Sequence, residues 1–282
     1  VLNVVTGRGA VAGEALALSM DVDVLVFTGS GPVGRRLLEY SAQSNLKRVY
    51  LELGGKSPSL VFDDVKDIAQ AAKVTANGMF RNSGQVCVAC SRLLVQGGIH
   101  DEFVAELAKA AGALTVGDPL DMATHVGAIN SERQLQQSLG FVETAAKEGG
   151  SIHTGGGRIL EETGGYYMEP TIVTDVGIGD TLAQKEVFGP VLAVSAFDTE
   201  EEAVAMANGT EYGLSSGVWT SDLSRAHRMI RSVRAGVVHV NTYGGSDMTV
   251  PLGGVKQSGN GHDKSLHAFD KYVDLKTAWI QL

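Results

Sequence analysis

Short β-branched runs alternate with helical patterns from the start of the chain, and this alternation restricts the fold more than any other feature. Residues 1–5 and 22–27 have strand composition, and residues 10–20 between them have helical composition. Such alternation predicts a parallel sheet with helices on its faces, so the expected fold class is α/β. The further predicted elements are strands at 49–53, 57–62, 91–95, 171–173, 191–197, 217–220 and 237–241, and helices at 67–80, 101–111, 131–148, 200–207 and 224–233.

A glycine-rich turn follows the predicted strand at 22–27 and opens a predicted helix at 35–44. Gly29, Gly31 and Gly34 have the G-x-G-x-x-G spacing of a dinucleotide-binding turn. A helix N-terminus presents free N–H groups and a positive dipole, which suit a pyrophosphate. An ordinary strand-to-helix turn that tolerates glycine would also produce this pattern. Both interpretations stay open on the glycine spacing alone.

Glu52 lies near the end of the predicted strand at 49–53, just before Gly54 and Gly55. In a dinucleotide-binding fold, an acidic residue about 20 positions after the glycine turn binds the adenosine ribose. Glu52 is near that place, so ribose binding is one interpretation of it. Its position at a strand end also favours a functional role, because such ends feed the loops where sites are built.

Cys87 is the candidate nucleophile. It follows the polar segment Arg-Asn-Ser-Gly-Gln-Val, between the predicted helix at 67–80 and the predicted strand at 91–95. A thiol reacts as its thiolate, which requires partial exposure and favourable local dipoles, and a polar turn offers both. A buried, inert cysteine is the alternative, since isolated cysteines commonly behave as small apolar residues.

Cys87 and Cys90 are the two cysteines of the chain, and they have the C-x-x-C spacing of a redox or zinc pair. No second Cys/His pair has metal-ligand spacing, so we predict no metal site. Such sparing use of cysteine is typical of the reducing cytoplasm. A net charge of -9 without a cluster of basic residues argues against a nucleic acid or a membrane surface as partner. No apolar run approaches the roughly 18 residues of a membrane span.

Four motifs together resemble the aldehyde dehydrogenase superfamily. They are Phe-Thr-Gly-Ser at 27–30, Leu-Glu-Leu-Gly-Gly-Lys-Ser-Pro at 51–58, the Cys87 segment, and Lys-Glu-Val-Phe-Gly-Pro at 185–190. Four motifs in the family's order are more specific than one glycine pattern. The resemblance is to the C-terminal portion of such an enzyme, so we expect a further segment upstream of Val1 and poor turnover by the 282-residue chain alone.

The resemblance implies a division into three parts. Residues 1–53 would be the C-terminal part of a Rossmann-type NAD(P)-binding domain, and residues 54–257 an α/β catalytic domain with the thiol nucleophile. Residues 258–282 would be a return segment and an oligomerisation tail, in which residues 272–282 form a strand that pairs with another subunit of a homodimer or homotetramer.

The resemblance also assigns roles to particular residues. Cys87 would be the nucleophile and Glu52 the general base, in place of the ribose ligand that the glycine spacing allowed. The backbone N–H of Cys87 is one candidate oxyanion donor, whereas no residue matches the family's oxyanion asparagine. The implied cofactor-binding residues are Gly29, Ser30, Val33, Gly34, Leu53, Glu186 and Phe188, with Glu186 on the nicotinamide-side ribose.

The implied reaction is the oxidation of an aldehyde to a carboxylic acid with NAD or NADP, through a thiohemiacetal and a thioester on Cys87. Residues 257–268 resemble the bacterial branch that oxidises γ-glutamyl-γ-aminobutyraldehyde and related amino-aldehydes, although Leu252 replaces the phenylalanine usual in that family. A CoA-acylating enzyme usually lacks the counterpart of Glu52. A thiol hydrolase would need a histidine partner for its cysteine. A catalytically incomplete fragment with structural, oligomerising or thiol-esterase capacity is the remaining alternative.

Overall fold

The computed structural model describes residues 1–245 and 247–282. They divide into two compact units, of which the first contains residues 1–54 and 247–282 and the second contains Gly55–Gly245. The domains expected from the sequence, at 1–53, 54–257 and 258–282, stay a prediction.

The first unit is built on a pair of parallel strands, each followed by polar or glycine-rich turns. Its elements are a π-helix at Gly9–Gly13, α1 (Glu14–Leu18), β1 (Val24–Thr28), α2 (Gly31–Gln43), β2 (Arg48–Glu52) and two 3₁₀-helices at Lys256–Ser258 and Leu266–Lys271. In the β1–β2 register, Val24 is opposite Arg48 and Thr28 is opposite Glu52. Ala17, Leu37 and Leu51 belong to its small apolar core. The register brings the carboxyl ends of both strands to one edge, where Gly29 and Glu52 lie.

A return segment at residues 258–261 lies along the other side of β2. The Leu53 N–H donates to the Ser258 carbonyl at 2.9 Å, and the Gly261 N–H donates to the Leu51 carbonyl at 3.0 Å. The Asn260 side chain also accepts a hydrogen bond from the Leu51 N–H at 2.8 Å. β2 is therefore supported on both sides, although the two partners are more than 200 positions apart in sequence.

At the start of the chain, the predicted strand is wrong, whereas the predicted helix is present with an irregular first part. Residues 1–5 lie outside any strand, and Val1, Leu2, Val4 and Val5 are exposed, because a strand needs a neighbour to pair with and none of the described strands is beside them. The predicted helix at 10–20 is divided into the π-helix and α1. Gly9 and Gly13 bound the irregular part, as expected from the low helix propensity of glycine.

The second unit contains a seven-stranded sheet in the order β11-β10-β3-β4-β9-β8-β5. All neighbouring strands are parallel except β5, which is antiparallel to β8. The elements of this unit are β3 (Pro58–Val61), α3 (Ile68–Phe80), β4 (Arg92–Gln96), α4 (His100–Gly112), α5 (Glu132–Lys147), β5 (Ser151–Thr154), β6 (Arg158–Ile159), β7 (Tyr167–Met168), β8 (Thr171–Thr174), α6 (Thr181–Gln184), β9 (Val191–Phe197), α7 (Glu200–Asn208), β10 (Ser215–Trp219), α8 (Leu223–Ser232) and β11 (Val237–Val240).

Alternate residues of the central strands pack into different apolar clusters, as the two-residue period of a strand requires. Leu93 and Val95 of β4 pack with α3 and α4, whereas Leu94 packs with residues of α7 and α8. Both faces of the sheet are thus covered by helices, which confirms the predicted α/β class and explains the almost continuous apolar runs of its strands. The described helices include none that is long and apolar enough to cross a membrane.

The structure assigns no strand to residues 273–282, all of which are described. Leu275, Trp279 and Ile280 are exposed there. A strand that pairs only with another subunit has no ladder partner within one chain, so the predicted pairing of this tail stays a prediction.

Candidate active site

Cys87 lies just after an unusual backbone bend in the second unit. α3 ends at Phe80, and Asn82, Ser83 and Gly84 then have φ angles of 52°, 56° and 69°. Such left-handed conformations are uncommon away from glycine and asparagine, so Ser83 in particular marks a bend that the surroundings must hold. Cys87 follows in a half-buried turn, where a side chain can reach solvent or substrate.

Three contacts from distant segments hold the bend and the turn. The Ser83 hydroxyl donates to the Gly127 carbonyl at 2.6 Å, and the Gln85 side chain accepts the Asn130 N–H at 3.0 Å. On the other side of Cys87, the Tyr243 hydroxyl donates to the Val88 carbonyl at 2.7 Å. A candidate nucleophile on so constrained a turn would be held in one place, as precise chemistry requires.

Cys90 has different surroundings from Cys87. Its side chain is fully buried, and its Sγ lies 3.4 Å from the Thr75 carbonyl. Burial raises the pKa of the Cys90 thiol to about 12, which keeps it protonated at neutral pH. Of the two cysteines, Cys87 is the one placed for nucleophilic chemistry.

Gly55 connects the Cys87 turn to Glu186. The Gly55 N–H donates to Glu186 Oε1 at 3.1 Å. A Cβ atom at Gly55 would lie 2.5 Å from the Cys87 carbonyl oxygen, so only glycine permits this approach. Gly55 therefore lies against both the Cys87 backbone and the Glu186 carboxylate. Gly55, Glu186 and Phe188 also line one narrow cleft.

Glu186 has the properties of a ligand for hydroxyl groups. Burial raises the pKa of its carboxyl, while the Gly55 N–H and the Lys56 charge oppose that rise. With Oε1 held by Gly55, its second oxygen can accept hydrogen bonds from ribose hydroxyls. The carboxylate thus fits the predicted role on the nicotinamide-side ribose.

Lys56 and Arg92 are buried beside this site, and neither was predicted from the sequence to have a role. Lys56 is 1% exposed, and among the described residues its Nζ has no hydrogen-bond partner. Burial lowers the pKa of Lys56 to about 7; the Arg92 charge lowers it further and Glu186 opposes the shift. Arg92 donates to the carbonyls of Lys56, Met206 and Ala207. The position of Lys56 between the predicted strands at 49–53 and 57–62 was the one feature of the sequence that could have indicated its burial.

The glycine turn of the first unit has the features of a phosphate site. The Gly29 N–H donates to the Glu52 carbonyl at 3.0 Å, which closes the turn against the end of β2. Ser30 precedes α2, yet its side chain makes no capping hydrogen bond, so the first turn of the helix can donate to a ligand. A Cβ atom at Gly34 would lie 2.9 Å from the end of the Leu53 side chain, so α2 packs closely against the end of β2.

An apolar cavity of about 270 Å³ lies between α1, β1 and α2 of the same unit. Val33 lines it together with Phe27, Leu25 and Tyr40. Apolar walls with a few polar atoms suit a flat ring system such as adenine. Gly29, Ser30, Val33, Gly34 and Leu53 thus surround one glycine turn, and they fit the dinucleotide that the sequence predicts.

Glu52 ends β2 in the first unit and is 8% exposed. Its backbone bridges Gly259, and among the described residues its Oε1 has no hydrogen-bond partner. Burial raises the pKa of the Glu52 carboxyl to about 7; the Asp263 charge adds to the rise and the Lys271 charge opposes it. A carboxyl that titrates near neutral pH is suited to act as a general base.

The aldehyde dehydrogenase family model matches residues 1–278. The NADP/NAD-dependent aldehyde dehydrogenase PuuC of Escherichia coli (strain K12) is 49% identical over 282 residues, which are 100% of this chain and 56% of that protein. A mutant of the indole-3-acetaldehyde dehydrogenase AldA of P. syringae, solved with NAD+ and IAA, is 51% identical with a TM-score of 0.96, over 98% of this chain and 56% of that one.

A γ-glutamyl-γ-aminobutyraldehyde dehydrogenase from Burkholderia cenocepacia J2315 is also 51% identical, with a TM-score of 0.91 over 94% of this chain and 53% of its own. The chain thus spans about half the length of the curated relatives it matches. The fold is therefore that of the aldehyde dehydrogenases, and most of the similar curated proteins have printed names that identify them as aldehyde dehydrogenases.

Proposed function

The chain belongs to the aldehyde dehydrogenase family, and we propose that the protein carrying it oxidises an aldehyde to a carboxylic acid with NAD+ or NADP+. Cys87 is the nucleophile of this proposal and Glu52 is the base that activates water. Gly29, Ser30, Val33, Gly34, Leu53, Glu186 and Phe188 bind the cofactor.

The contact at Gly55 carries this proposal. It links the carbonyl of the proposed nucleophile to the carboxylate proposed to hold the nicotinamide-side ribose. Hydride transfer requires the thiol-bound carbon and the nicotinamide to lie side by side, because reacting atoms must approach within about 3.5 Å. A glycine close to both the Cys87 backbone and the Glu186 carboxylate supports such an arrangement, which a purely structural thiol would not need.

In the first half of the reaction, the Cys87 thiolate forms a bond to the carbonyl carbon, and the carbonyl electrons move to oxygen. The backbone N–H of Cys87 is a candidate donor to that oxyanion. When bound, the nicotinamide cofactor accepts the hydride that leaves the same carbon. As the hydride leaves, the electron pair on oxygen re-forms the carbonyl bond, so the carbon is oxidised and a thioester to Cys87 remains.

In the second half, Glu52 takes a proton from water, and the oxygen of that water forms a bond to the thioester carbon. The carbon–sulfur bond then breaks, and the electron pair returns to the Cys87 sulfur. The products are a carboxylic acid and the regenerated thiolate. The raised pKa of Glu52 supports this role, because a base is most effective when its pKa is near the working pH.

The substrate we propose is a small amino-aldehyde or γ-glutamylamino-aldehyde. Support comes from the likeness to the γ-glutamyl-γ-aminobutyraldehyde dehydrogenase of Burkholderia cenocepacia. The equal identity to an indole-3-acetaldehyde dehydrogenase makes an aromatic aldehyde the alternative to test.

The location and assembly we propose rest on two other features. The sparing use of cysteine supports a cytoplasmic protein. The exposed apolar tail supports a homodimer or homotetramer.

Burst kinetics test this function in the full-length protein that carries the chain. With NAD+ or NADP+ and a panel of both aldehyde classes, the Glu52→Gln variant should release about one equivalent of NAD(P)H per site and then turn over slowly, because only thioester hydrolysis needs the base. If the variant lost the burst as well, while binding cofactor normally, Glu52 would not be the hydrolytic base. If no aldehyde gave NAD(P)H with the unsubstituted protein, the proposed function would fail.

A further inference from the structure

The residues just after the return segment include a second carboxylate, Asp263, whose charge acts on Glu52. Residues 258–261 lie along β2, and a Cβ atom at Gly261 would be only 3.4 Å from Glu52 Oε1. Two residues later, the Asp263 N–H donates to the Leu252 carbonyl at 2.6 Å, and the Leu252 N–H donates back to the Asp263 carbonyl at 2.8 Å. These backbone bonds fix the backbone of Asp263 on a short two-strand bridge, two residues after the glycine that approaches Glu52.

Lys271 is paired with Asp263. Its Nζ donates to Asp263 Oδ1, and its side chain is 4% exposed although lysine is rarely buried. Its Nζ also lies 5.9 Å from the centre of the Tyr272 ring, which can stabilise a cation. A lysine held this firmly has lost its usual conformational freedom, and its pairing has a cost that surface lysines do not bear.

We propose that Lys271 is a positioning residue for the hydrolytic step: it pairs with Asp263 and thereby compensates the negative charge that this carboxylate places beside Glu52. This inference rests on the proposed function, since it assigns Lys271 an effect on the base of that reaction. Lys271 acts through Asp263 and through its own charge, and it does not contact the reacting atoms in this account.

The charges facing Glu52 determine the direction of the effect. Within its unit, Asp263 disfavours the Glu52 carboxylate and Lys271 favours it, while burial disfavours it most. The neighbouring β1 residue is the uncharged Thr28, and the adjoining return segment contributes Gly259 and Gly261. Removal of the lysine charge therefore leaves two effects that both raise the Glu52 pKa.

The pH dependence of thioester hydrolysis tests the inference in the full-length enzyme. Lys271→Met should move the acid limb of the hydrolysis rate to higher pH by about one unit, so the rate below the limb falls about tenfold. The NAD(P)H burst should be unchanged, because hydride transfer precedes the step that Glu52 assists. Lys271→Arg should leave the acid limb at the pH of the unsubstituted enzyme, since arginine keeps the positive charge and can pair with Asp263.

Asp263→Asn provides the opposite sign, because it removes the negative charge and leaves that of Lys271. Its acid limb should move to lower pH, and the double variant Lys271→Met/Asp263→Asn should return towards the unsubstituted enzyme. Lys66→Met, at an exposed lysine of the second unit, is the control for loss of one positive charge.

An acid limb that stays in place in both Lys271→Met and Asp263→Asn would overturn the inference, even if Lys271→Met were also less stable. A limb that moved equally in Lys66→Met would overturn it too. These results are distinct from a failure of the proposed function, in which the unsubstituted enzyme shows no NAD(P)H burst and this inference falls with it.

Discussion

Cys87 and Cys90 are three positions apart, yet only one has surroundings that suit a nucleophile. Cys87 is half-buried on a turn held from three directions, whereas the Cys90 thiol is fully buried with a pKa raised to about 12. The two thiols should therefore differ sharply in reactivity.

Substitution of each cysteine tests this difference. Cys87→Ser should lower the rate of NAD(P)H formation with aldehyde about 1000-fold, because a serine hydroxyl is a far weaker nucleophile at neutral pH. Cys90→Ser should retain most activity and lose some stability through its buried hydroxyl. Absorbance at the NAD(P)H band gives the rates. Equal loss in both variants would instead indicate that the cysteines act as a pair.

Lys56 should make the stability of the folded protein depend on pH. The amine has a folded pKa of about 7 and an ordinary value of 10.5, so between these values the unfolded state binds more protons. The free energy of unfolding therefore rises with pH between about 7 and 10.5. Below about 7 the folded protein bears the full cost of holding a charged Lys56 in its interior.

Lys56→Met should remove this penalty and stabilise the protein by on the order of 1–4 kcal/mol at pH 6, with a smaller gain at pH 9.5. Urea unfolding at both values measures the difference. Lys73→Met on the exposed face of α3 is the matched control and should show no such pH dependence. A gain that grew with pH would contradict the assignment of Lys56 as a buried amine that has no hydrogen-bond partner among the described residues.

Among the elements, β2 depends on a close contact with the return segment. Gly259 has a φ angle of 122°, and a Cβ atom there would collide with the Leu51 carbonyl oxygen. Neither the angle nor the space admits another residue. The end of β2, which carries Glu52, is thus positioned partly by a glycine far along the chain.

Gly259→Ala should destabilise the protein by about 1–3 kcal/mol, because the alanine side chain would push the return segment away from β2. Gly140→Ala is the matched control, because Gly140 lies within α5 with open space at its Cβ position and should gain up to about 1 kcal/mol. Chemical denaturation measures both. A Gly259→Ala variant as stable as the unsubstituted protein would show that the return segment does not support β2.

Local patterns predicted most elements because each has its own periodicity and end signals. The strand at 191–197 has the predicted bounds, and the helix at 67–80 begins one residue later, capped by Asp67. Residues 1–5 were predicted wrongly, since composition reports strand preference but not whether a partner exists. The Lys271–Asp263 pair and the burial of Lys56 could not be predicted, because both depend on packing between segments distant in sequence.

At the scale of the whole molecule, the sheet faces are covered, whereas the tail is not. Leu275, Trp279 and Ile280 project from residues 273–282 as exposed apolar side chains. The Arg48–Asp274 ion pair at 2.7 Å ties the start of this tail to β2. Apolar side chains on an unpaired segment favour association with a second copy.

Deletion of residues 273–282 should therefore lower the assembly mass of the full-length protein by a factor of two or more, as measured by light scattering. Asp274→Asn is the control for loss of the ion pair and should leave the mass unchanged, since an exposed pair contributes about 0–1 kcal/mol. An unchanged mass after the deletion would mean that the tail does not join subunits.

The most direct test of the central claim is to find the acyl group on Cys87. In the full-length Glu52→Gln variant, incubation with aldehyde and NAD(P)+ should accumulate the thioester, because hydride transfer continues while hydrolysis is slow. Mass spectrometry of rapidly quenched, digested protein should show the acyl mass on the peptide that contains Cys87, and only when cofactor is present. An adduct on Cys90, or no adduct at all after an NAD(P)H burst, would contradict the account.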